Sequence, residues 1–200
     1  WGGAGGEGAR GRGGCAAGLC AGLRALGKQA HVCPGTGATH LFAPYLEGYL
    51  APEGYVPDTV VSVDIAARGL FTQEGETWLE RGVDLAIDHH PSQEFFAGVT
   101  CLDAGRGACG ELIYDILAQL GPVTAAMAVP LYVAVSTDTG CFQYSNTTAA
   151  THRIAAALME TGIDTFALNK RHFRTKSWAR LQVERLLVER MHRYEDGKIA

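Results

Sequence analysis

The sequence predicts an α/β fold: a Rossmann-like domain with a central parallel sheet flanked by helices, followed by a connector helix. Three short apolar segments end in aspartate and have the form of buried strands: Thr59–Asp64, Val83–Asp88 and Gly98–Asp103. Between and after these segments, apolar residues recur at helical spacing. Short strands that alternate with helices indicate a parallel sheet, because parallel strands need a long crossover connection.

Length and composition allow one domain core and part of another. Of the 200 residues, 47% are hydrophobic, which excludes disordered and collagen-like chains. The net charge of −4 is divided unevenly: residues 1–169 carry 8 Lys and Arg against 17 Asp and Glu, whereas residues 170–200 carry 9 against 4. An acidic body excludes a broadly basic nucleic-acid surface and is compatible with cation binding.

The beginning of the chain has an unusual composition. Eight of the 26 glycines fall in residues 1–14, and we therefore treat 1–14 as an aberrant Gly-rich segment. Leucines at helical spacing then predict a helix from Cys15 to Lys28 with a stop signal at Gly27. His31–Cys33 has the form of a short strand.

Five helices are predicted after the third strand. Residues 108–121 have one apolar face. Val123–Val135 is apolar nearly all round and contains Pro130, which predicts a buried, kinked helix. Thr147–Gly162 is amphipathic, and Asp164–Tyr194 holds two more helices, the second of them rich in arginine.

The cysteine spacing and the lack of a long apolar run predict the cellular compartment of the protein. The six cysteines form no CxxC pair and no zinc-type spacing, which predicts reduced, mostly buried thiols. The sequence has no run of 18 apolar residues and no charged-then-apolar leader, so we expect no membrane span and no secretion. We expect a cytoplasmic protein and, since no Met stands at position 1, an incomplete chain.

Acidic residues and a histidine pair stand at the ends of three predicted elements. Asp64 and Asp88 each close a strand, His89 and His90 follow Asp88, and Asp138 follows an apolar segment. Each aspartate alone is more often a turn or capping residue. Together they would meet at the carboxyl edge of the sheet, where like charges are costly unless a cation neutralises them. Oxygen-rich ligands with imidazole favour Mn²⁺ or Mg²⁺ over zinc and predict metal-assisted hydrolysis.

Four segments together resemble a known family. The runs VVSVDIA, AIDHHPS, ACGELIYDIL and STDTGCFQYSNTTAATHRIAAALMETG are similar to the DHH phosphoesterases. Within that family the resemblance is to bacterial short-oligonucleotide ribonucleases (nanoRNases) that also remove the 3′-phosphate of 3′-phosphoadenosine 5′-phosphate. The resemblance extends from about Cys15 to the end of the chain and implies two Mn²⁺ ions, with Mg²⁺ as a substitute.

The resemblance implies a role for each residue of the site. Asp64 would bind or bridge both ions, and His89 and Asp138 would ligate the second ion. Asp88 and His90 would orient the ligands or assist proton transfer as catalytic residues, which agrees with the rule that a metal-bound His is held by an outer carboxylate or carbonyl.

Two departures from the family pattern stand out. The first motif of the family, HxxPDGDxxGS, would fall on Gly5–Cys15, where the chain reads GGEGARGRGGC, so its His and two Asp are replaced by Gly5, Ala9 and Gly11. The second domain of the family, DHHA1, carries a GGGHxxAAG-type motif that does not occur before Ala200. We therefore expect a DHH domain over 15–170, and a helical connector with the start of a truncated DHHA1 domain over 171–200.

Four further polar residues could lie near a bound substrate. Asn146 and Thr147 could hold a phosphate at a helix N-terminus, although capping of that helix explains them equally well. Arg106, in a Gly-flanked loop, is a weaker phosphate candidate. Glu111 reads as a first-turn residue on its helix rather than as part of the cleft.

The predicted activity is manganese-dependent hydrolysis of short oligoribonucleotides or of 3′-phosphoadenosine 5′-phosphate, impaired here by the missing motif. Its partners would be short RNA or nucleotide 3′-phosphates, with a homodimer as the candidate assembly. Alternatives on the same fold are a cyclic or linear dinucleotide phosphodiesterase, a RecJ-like single-strand exonuclease and, disfavoured by the TDTGCFQYSNTT segment, a family II inorganic pyrophosphatase. A catalytically inactive nucleotide-binding remnant is an alternative of a different class.

Overall fold

Three parallel strands form the centre of the molecule in a computed structural model that describes residues 8–33, 41–192 and 194–197. The strands are β1 (Val61–Val63), β2 (Leu85–Asp88) and β3 (Val99–Leu102), in the order β1-β2-β3. Each lies within a segment that the sequence predicts as a strand. The α/β class and the parallel sheet are therefore confirmed.

Eight α-helices accompany this sheet in the described residues. They are α1 (Gly8–Ala25), α2 (Ala43–Leu46), α3 (Gln73–Arg81), α4 (Cys109–Leu120), α5 (Ala125–Asp138), α6 (Ala149–Glu160), α7 (Thr165–Asn169) and α8 (Trp178–Glu189). Short 3₁₀ turns occur at Arg68–Leu70 and Glu195–Gly197, and a π-helical turn, Lys170–Arg174, follows α7.

Helix α5 is the buried centre of the helical layer. Leu131, Val133 and Val135 are completely buried, as the apolar sequence predicts. Pro130 lies inside the helix, where its ring removes one backbone donor. A helix that is apolar on all sides is buried on all sides, and α5 therefore has no strong amphipathic pattern.

Helix α1 packs along α5 and α4 through a row of glycines. It begins at Gly8, seven residues before the predicted start at Cys15. A Cβ on Gly14 would meet the carbonyl of Pro130, one on Gly18 would meet Leu131, and one on Gly22 would meet Leu117. Each glycine costs a helix about 1 kcal/mol relative to Ala, and close packing against α5 and α4 compensates for that cost.

Two predicted elements differ from the structure. His31–Cys33 is not a strand of the sheet, since Val32 forms only an isolated parallel bridge with Leu50. Helix α6 begins after Thr148, which forms a capping box with Thr151, so neither Asn146 nor Thr147 is its cap.

The C-terminal part and the cysteines follow the sequence closely. Helix α8 begins after the capping Ser177 and leaves Trp178 73% exposed. Its role as a connector, like the boundaries of the predicted domains, stays a prediction. All six cysteines are free thiols, three buried and three half-buried. In the described part of the chain, no helix is both long and apolar enough to cross a membrane.

Candidate metal centre

The predicted acids and histidines converge at the carboxyl edge of the sheet. Asp64 directly follows β1, Asp88 ends β2, and His89 and His90 come next. Asp138 is the last residue of α5. The site is therefore built from two strand ends and one helix end.

Asp64 is a buried carboxylate in a strained backbone position. Its side chain is 1% exposed and its φ of 60° lies in the left-handed region, which Asp tolerates better than most residues. Neither carboxylate oxygen accepts a hydrogen bond of normal geometry from the described residues. Burial raises the pKa of Asp64, and the neighbouring histidines only partly oppose it.

His89 directs one ring nitrogen toward the acids. Its Nδ1 lies 3.1 Å from the carbonyl of Arg106, so this nitrogen is the donor and Nε2 faces the site. Nε2 lies 3.4 Å from Asp64 Oδ1 and 4.0 Å from Asp138 Oδ2. Burial opposes protonation of His89, but the carboxylate of Asp64 beside Nε2 and the charge of Asp138 outweigh it and raise the pKa to about 9.

Asp88 is equally buried and fully hydrogen-bonded. Its Oδ1 accepts from the backbone N–H of His89 at 2.7 Å and from His90 Nδ1 at 2.6 Å, and its Oδ2 accepts from Gln93 Nε2 at 2.6 Å. Burial by itself would raise the pKa of Asp88, but the hydrogen bonds from His90 and His89 lower it. The geometry is that of a carboxylate that orients His90, and this role stays a prediction.

Gly11 of α1 lies directly against the carboxylates. A Cβ at this position would stand 2.7 Å from Asp64 Oδ2 and from Asp138 Oδ2. Asp64 and Asp138 are therefore neighbours, as the sequence predicts, and Gly11 stands where a side chain would enter the site. Of the other residues in the replaced motif, Gly5 lies outside the described residues, and Ala9 and Cys15 belong to α1.

The donor set fits a divalent cation. Ligand atoms of Asp64, His89 and His90 lie within 4.8 Å of one another. A buried carboxylate without hydrogen-bond donors is costly unless a cation neutralises it, and Asp64 is in this position. Carboxylate and imidazole ligands suit Mn²⁺ or Mg²⁺.

Two of the three predicted substrate residues, Asn146 and Arg106, are held by hydrogen bonds within the protein. Asn146 Nδ2 donates to the carbonyls of Gly107, at 2.8 Å, and Asp138, at 3.1 Å, and so holds the loop beside the site. Thr147 has a buried hydroxyl with no hydrogen-bond partner among the described residues. Arg106 donates to Asp103 and, at 2.6 Å, to Asp115. Their roles toward a substrate stay predictions.

Glu111 differs from its predicted position as a first-turn surface residue. It is completely buried, accepts a 2.7 Å hydrogen bond from Thr151 and lies 3.8 Å from Arg106. Burial raises its pKa. Glu111 is buried on α4 beside Leu112 and Ile113, and its bond to Thr151 joins α4 to α6, 40 residues away in the sequence.

Two other residues were not identified from the sequence. Gln93 links Asp88 to the carbonyl of Ile65, 2.9 Å away. Arg12 donates from Nε to the backbone carbonyl of Asp64 at 3.0 Å. No local pattern marks either residue, because the bonds join segments far apart in the sequence.

The chain is similar to two proteins whose names describe oligoribonuclease and phosphatase activity. A Thermus thermophilus protein named bifunctional oligoribonuclease and PAP phosphatase NrnA is 31% identical over 183 residues, which are 90% of this chain and 55% of that protein. A Streptococcus mutans protein named probable bifunctional oligoribonuclease and PAP phosphatase NrnA is 28% identical over 120 residues, 60% of this chain and 38% of that protein. The chain thus spans about half of the Thermus relative. No protein-family model matches the sequence.

A solved structure shares the fold. The crystal structure of an exopolyphosphatase-related protein from Bacteroides fragilis matches with a TM-score of 0.80 and 21% identity, covering 92% of this chain and 58% of that chain. At this identity the match shows the common fold alone.

Proposed function

We propose that this chain belongs to the DHH phosphoesterase family and is the metal-binding portion of a manganese-dependent hydrolase. The proposed substrates are short oligoribonucleotides and 3′-phosphoadenosine 5′-phosphate, in keeping with the names of the Thermus and Streptococcus relatives. The observation that carries the proposal is the buried, donor-free carboxylate of Asp64 beside the imidazole of His89.

We assign the metal-holding role to Asp64, His89 and Asp138, with His90 beside them. When bound, a divalent ion lowers the pKa of a coordinated water and neutralises charge on a phosphoryl group. The carbonyl of Arg106 fixes the ring of His89 through Nδ1. Asp88 holds His90, whose position next to Asp64 suits it to move a proton or to orient the ligands.

Activity of the chain itself should be low. Gly11 supplies no ligand at a position that adjoins both Asp64 and Asp138. The two family aspartates that the resemblance places at Ala9 and Gly11 are absent, so one ion of the pair loses much of its coordination. An inactive nucleotide-binding remnant is the second candidate, and this gap in the ligand set favours it.

Manganese binding is tested through thermal stability, which does not depend on turnover. A ligand at 100 times its Kd stabilises a protein by about 2.7 kcal/mol, so Mn²⁺ should raise the Tm of the parent chain. Asp64→Asn should abolish this rise, whereas Glu184→Gln on the exposed face of α8 should preserve it. An equal rise in the parent and in Asp64→Asn would place the ion elsewhere.

Turnover is tested separately with RNA of two to five nucleotides and with 3′-phosphoadenosine 5′-phosphate. We expect slow Mn²⁺-dependent release of mononucleotide or phosphate that Asp138→Ala removes. Binding of Mn²⁺ without any turnover would favour the inactive remnant. Hydrolysis of a cyclic dinucleotide, or of long single strands only, would favour the alternative enzymes of the same fold.

A further inference from the structure

One peptide group, between Arg106 and Gly107, lies between a buried carboxylate and a histidine of the candidate metal centre. Its carbonyl oxygen, on Arg106, is 3.1 Å from Nδ1 of His89. Its N–H, on Gly107, donates to the carboxylate of Glu111. Because a peptide group is planar and rigid, a group that holds the N–H also fixes the direction of the carbonyl. Glu111 is therefore connected to His89 through a single peptide plane.

The carboxylate of Glu111 is itself held in place. It is completely buried on α4, and Oε1 accepts a 2.7 Å hydrogen bond from the hydroxyl of Thr151 on α6. Oε2 accepts no hydrogen bond from the described residues and lies 3.8 Å from a guanidinium nitrogen of Arg106. The shorter contacts of Arg106 go to Asp103, at 3.1 Å, and to Asp115, at 2.6 Å. The fixed partner of Glu111 in the loop is therefore the backbone.

Gly107 fits closely between the loop and the two helices. A Cβ at this position would stand 2.7 Å from the carbonyl oxygen of Asn146, 3.0 Å from Glu111 Oε1 and 3.1 Å from Thr151 Oγ1. The carbonyl of Gly107 also accepts from Asn146 Nδ2 at 2.8 Å. The loop is thus bound on both sides of Gly107, and the carboxylate of Glu111 stands directly against its backbone.

The charge of Glu111 strengthens the connection to His89. Hydrogen bonds to an ionised acceptor are roughly twice as strong as neutral ones, and hydrogen bonds in series polarise one another. A carboxylate at the N–H of the peptide group therefore makes its carbonyl a better acceptor for His89 Nδ1–H. With Nδ1 held as a donor, Nε2 of the same ring faces Asp64 at 3.4 Å.

We propose that Glu111 is a positioning residue of the metal centre and acts on His89 through the peptide group between Arg106 and Gly107. Its role is to fix the ring of His89 so that Nε2 is directed at the site. Groups that orient a metal-bound histidine contribute strongly to metal affinity. The consequence for affinity rests on the proposed metal-binding function, whereas the orientation of His89 is measured without metal.

The Nδ1–H proton of His89 reports on this connection in the metal-free protein by ¹H–¹⁵N NMR. In Glu111→Leu the signal should be lost to exchange with water, because the peptide group no longer holds its carbonyl against the ring. Glu111→Gln keeps an acceptor without the charge, so the signal should remain and move upfield. An unchanged signal position in Glu111→Gln would by itself overturn the proposal, whether or not Glu111→Leu folds.

Leu158→Ala is the matched control for a general loss of stability. Leu158 is completely buried on α6, so its truncation leaves a cavity and should lower the Tm. The Nδ1–H signal of His89 should nevertheless stay unchanged in this variant. Loss of the signal in Leu158→Ala as well would show that lower stability alone releases the ring, and would overturn the positioning role.

Manganese binding, measured by calorimetric titration, tests the consequence for the site. The Kd for Mn²⁺ should be about tenfold higher in Glu111→Leu than in the parent chain. It should be unchanged in Leu158→Ala. An unchanged Kd in Glu111→Leu would overturn the role of Glu111 toward the metal. A parent chain that binds no Mn²⁺ would instead refute the proposed function, and the His89 signal would then decide the positioning role.

Discussion

Two buried aspartates at the same edge of the sheet have opposite surroundings. Asp88, 0% exposed, accepts hydrogen bonds from His89, His90 and Gln93, and its pKa is lowered. Asp64, 1% exposed, accepts none of normal geometry, and burial raises its pKa. Protein donors already stabilise the charge of Asp88, whereas only the nearby imidazoles of His89 and His90 face the charge of Asp64. The difference agrees with the roles proposed above, in which Asp88 orients His90 and Asp64 binds metal.

The largest expected effect is a difference in stability between two matched substitutions in the metal-free protein. Asp88→Asn should lower the free energy of unfolding by about 2–3 kcal/mol, because it removes the charged acceptor of several hydrogen bonds. Asp64→Asn should leave it unchanged or raise it, since it removes a buried charge and Asn tolerates positive φ. Urea unfolding of both variants measures the difference, and equal losses would refute this distinction.

Glu111 is a third buried carboxylate, and its effect on the free energy of unfolding should depend on pH. Its pKa is raised in the folded state, so the folded protein binds more protons. The free energy of unfolding should therefore fall as pH rises from about 4.5, the ordinary Glu value, through the raised pKa. Glu111 therefore contributes most to the free energy of unfolding at pH values below this window.

Glu111→Gln isolates this contribution, because it keeps an acceptor for Thr151 and cannot ionise. Relative to the variant, the parent should lose about 1–2 kcal/mol across the window, as measured by urea unfolding at several pH values. A constant difference between the two proteins from pH 4 to 8 would show that Glu111 does not titrate there.

The smallest expected effect concerns the donors around Asp88. Gln93→Leu should cost about 1 kcal/mol of unfolding free energy, because it removes the bonds to Asp88 and to the carbonyl of Ile65. Gln119→Leu is the matched control, since its bond to the carbonyl of Asp115 is exposed. Thermal unfolding in the two variants should differ, and the same Tm would mean that Asp88 does not need Gln93.

Local patterns in the sequence predicted the elements near the site well. The three parallel strands and the buried α5 appear where apolar runs and helical spacing place them, and α8 lies within the predicted Asp164–Tyr194 helical region. The convergence of Asp64 and His89 was also predictable, because the carboxyl ends of parallel strands meet at one edge, which Asp138 reaches from the end of helix α5.

The first turns of α1 are helical where the Gly-rich composition predicted no helix. Gly11 and Gly14 continue the close packing that Gly18 and Gly22 make with neighbouring helices. Glycine disfavours helix when taken alone, and only contact with α5 compensates for the cost. The predicted helix therefore started too late, at Cys15.

The sequence by itself determined the class of fold, the resemblance to the DHH phosphoesterases and the residues that gather at the sheet edge, because those depend on local periodicity and short motifs. Only the tertiary structure decided that Asp88 is hydrogen-bonded while Asp64 is not, and that Glu111 is buried. These properties depend on contacts between segments distant in sequence, and the pKa of a carboxyl group is set by such contacts.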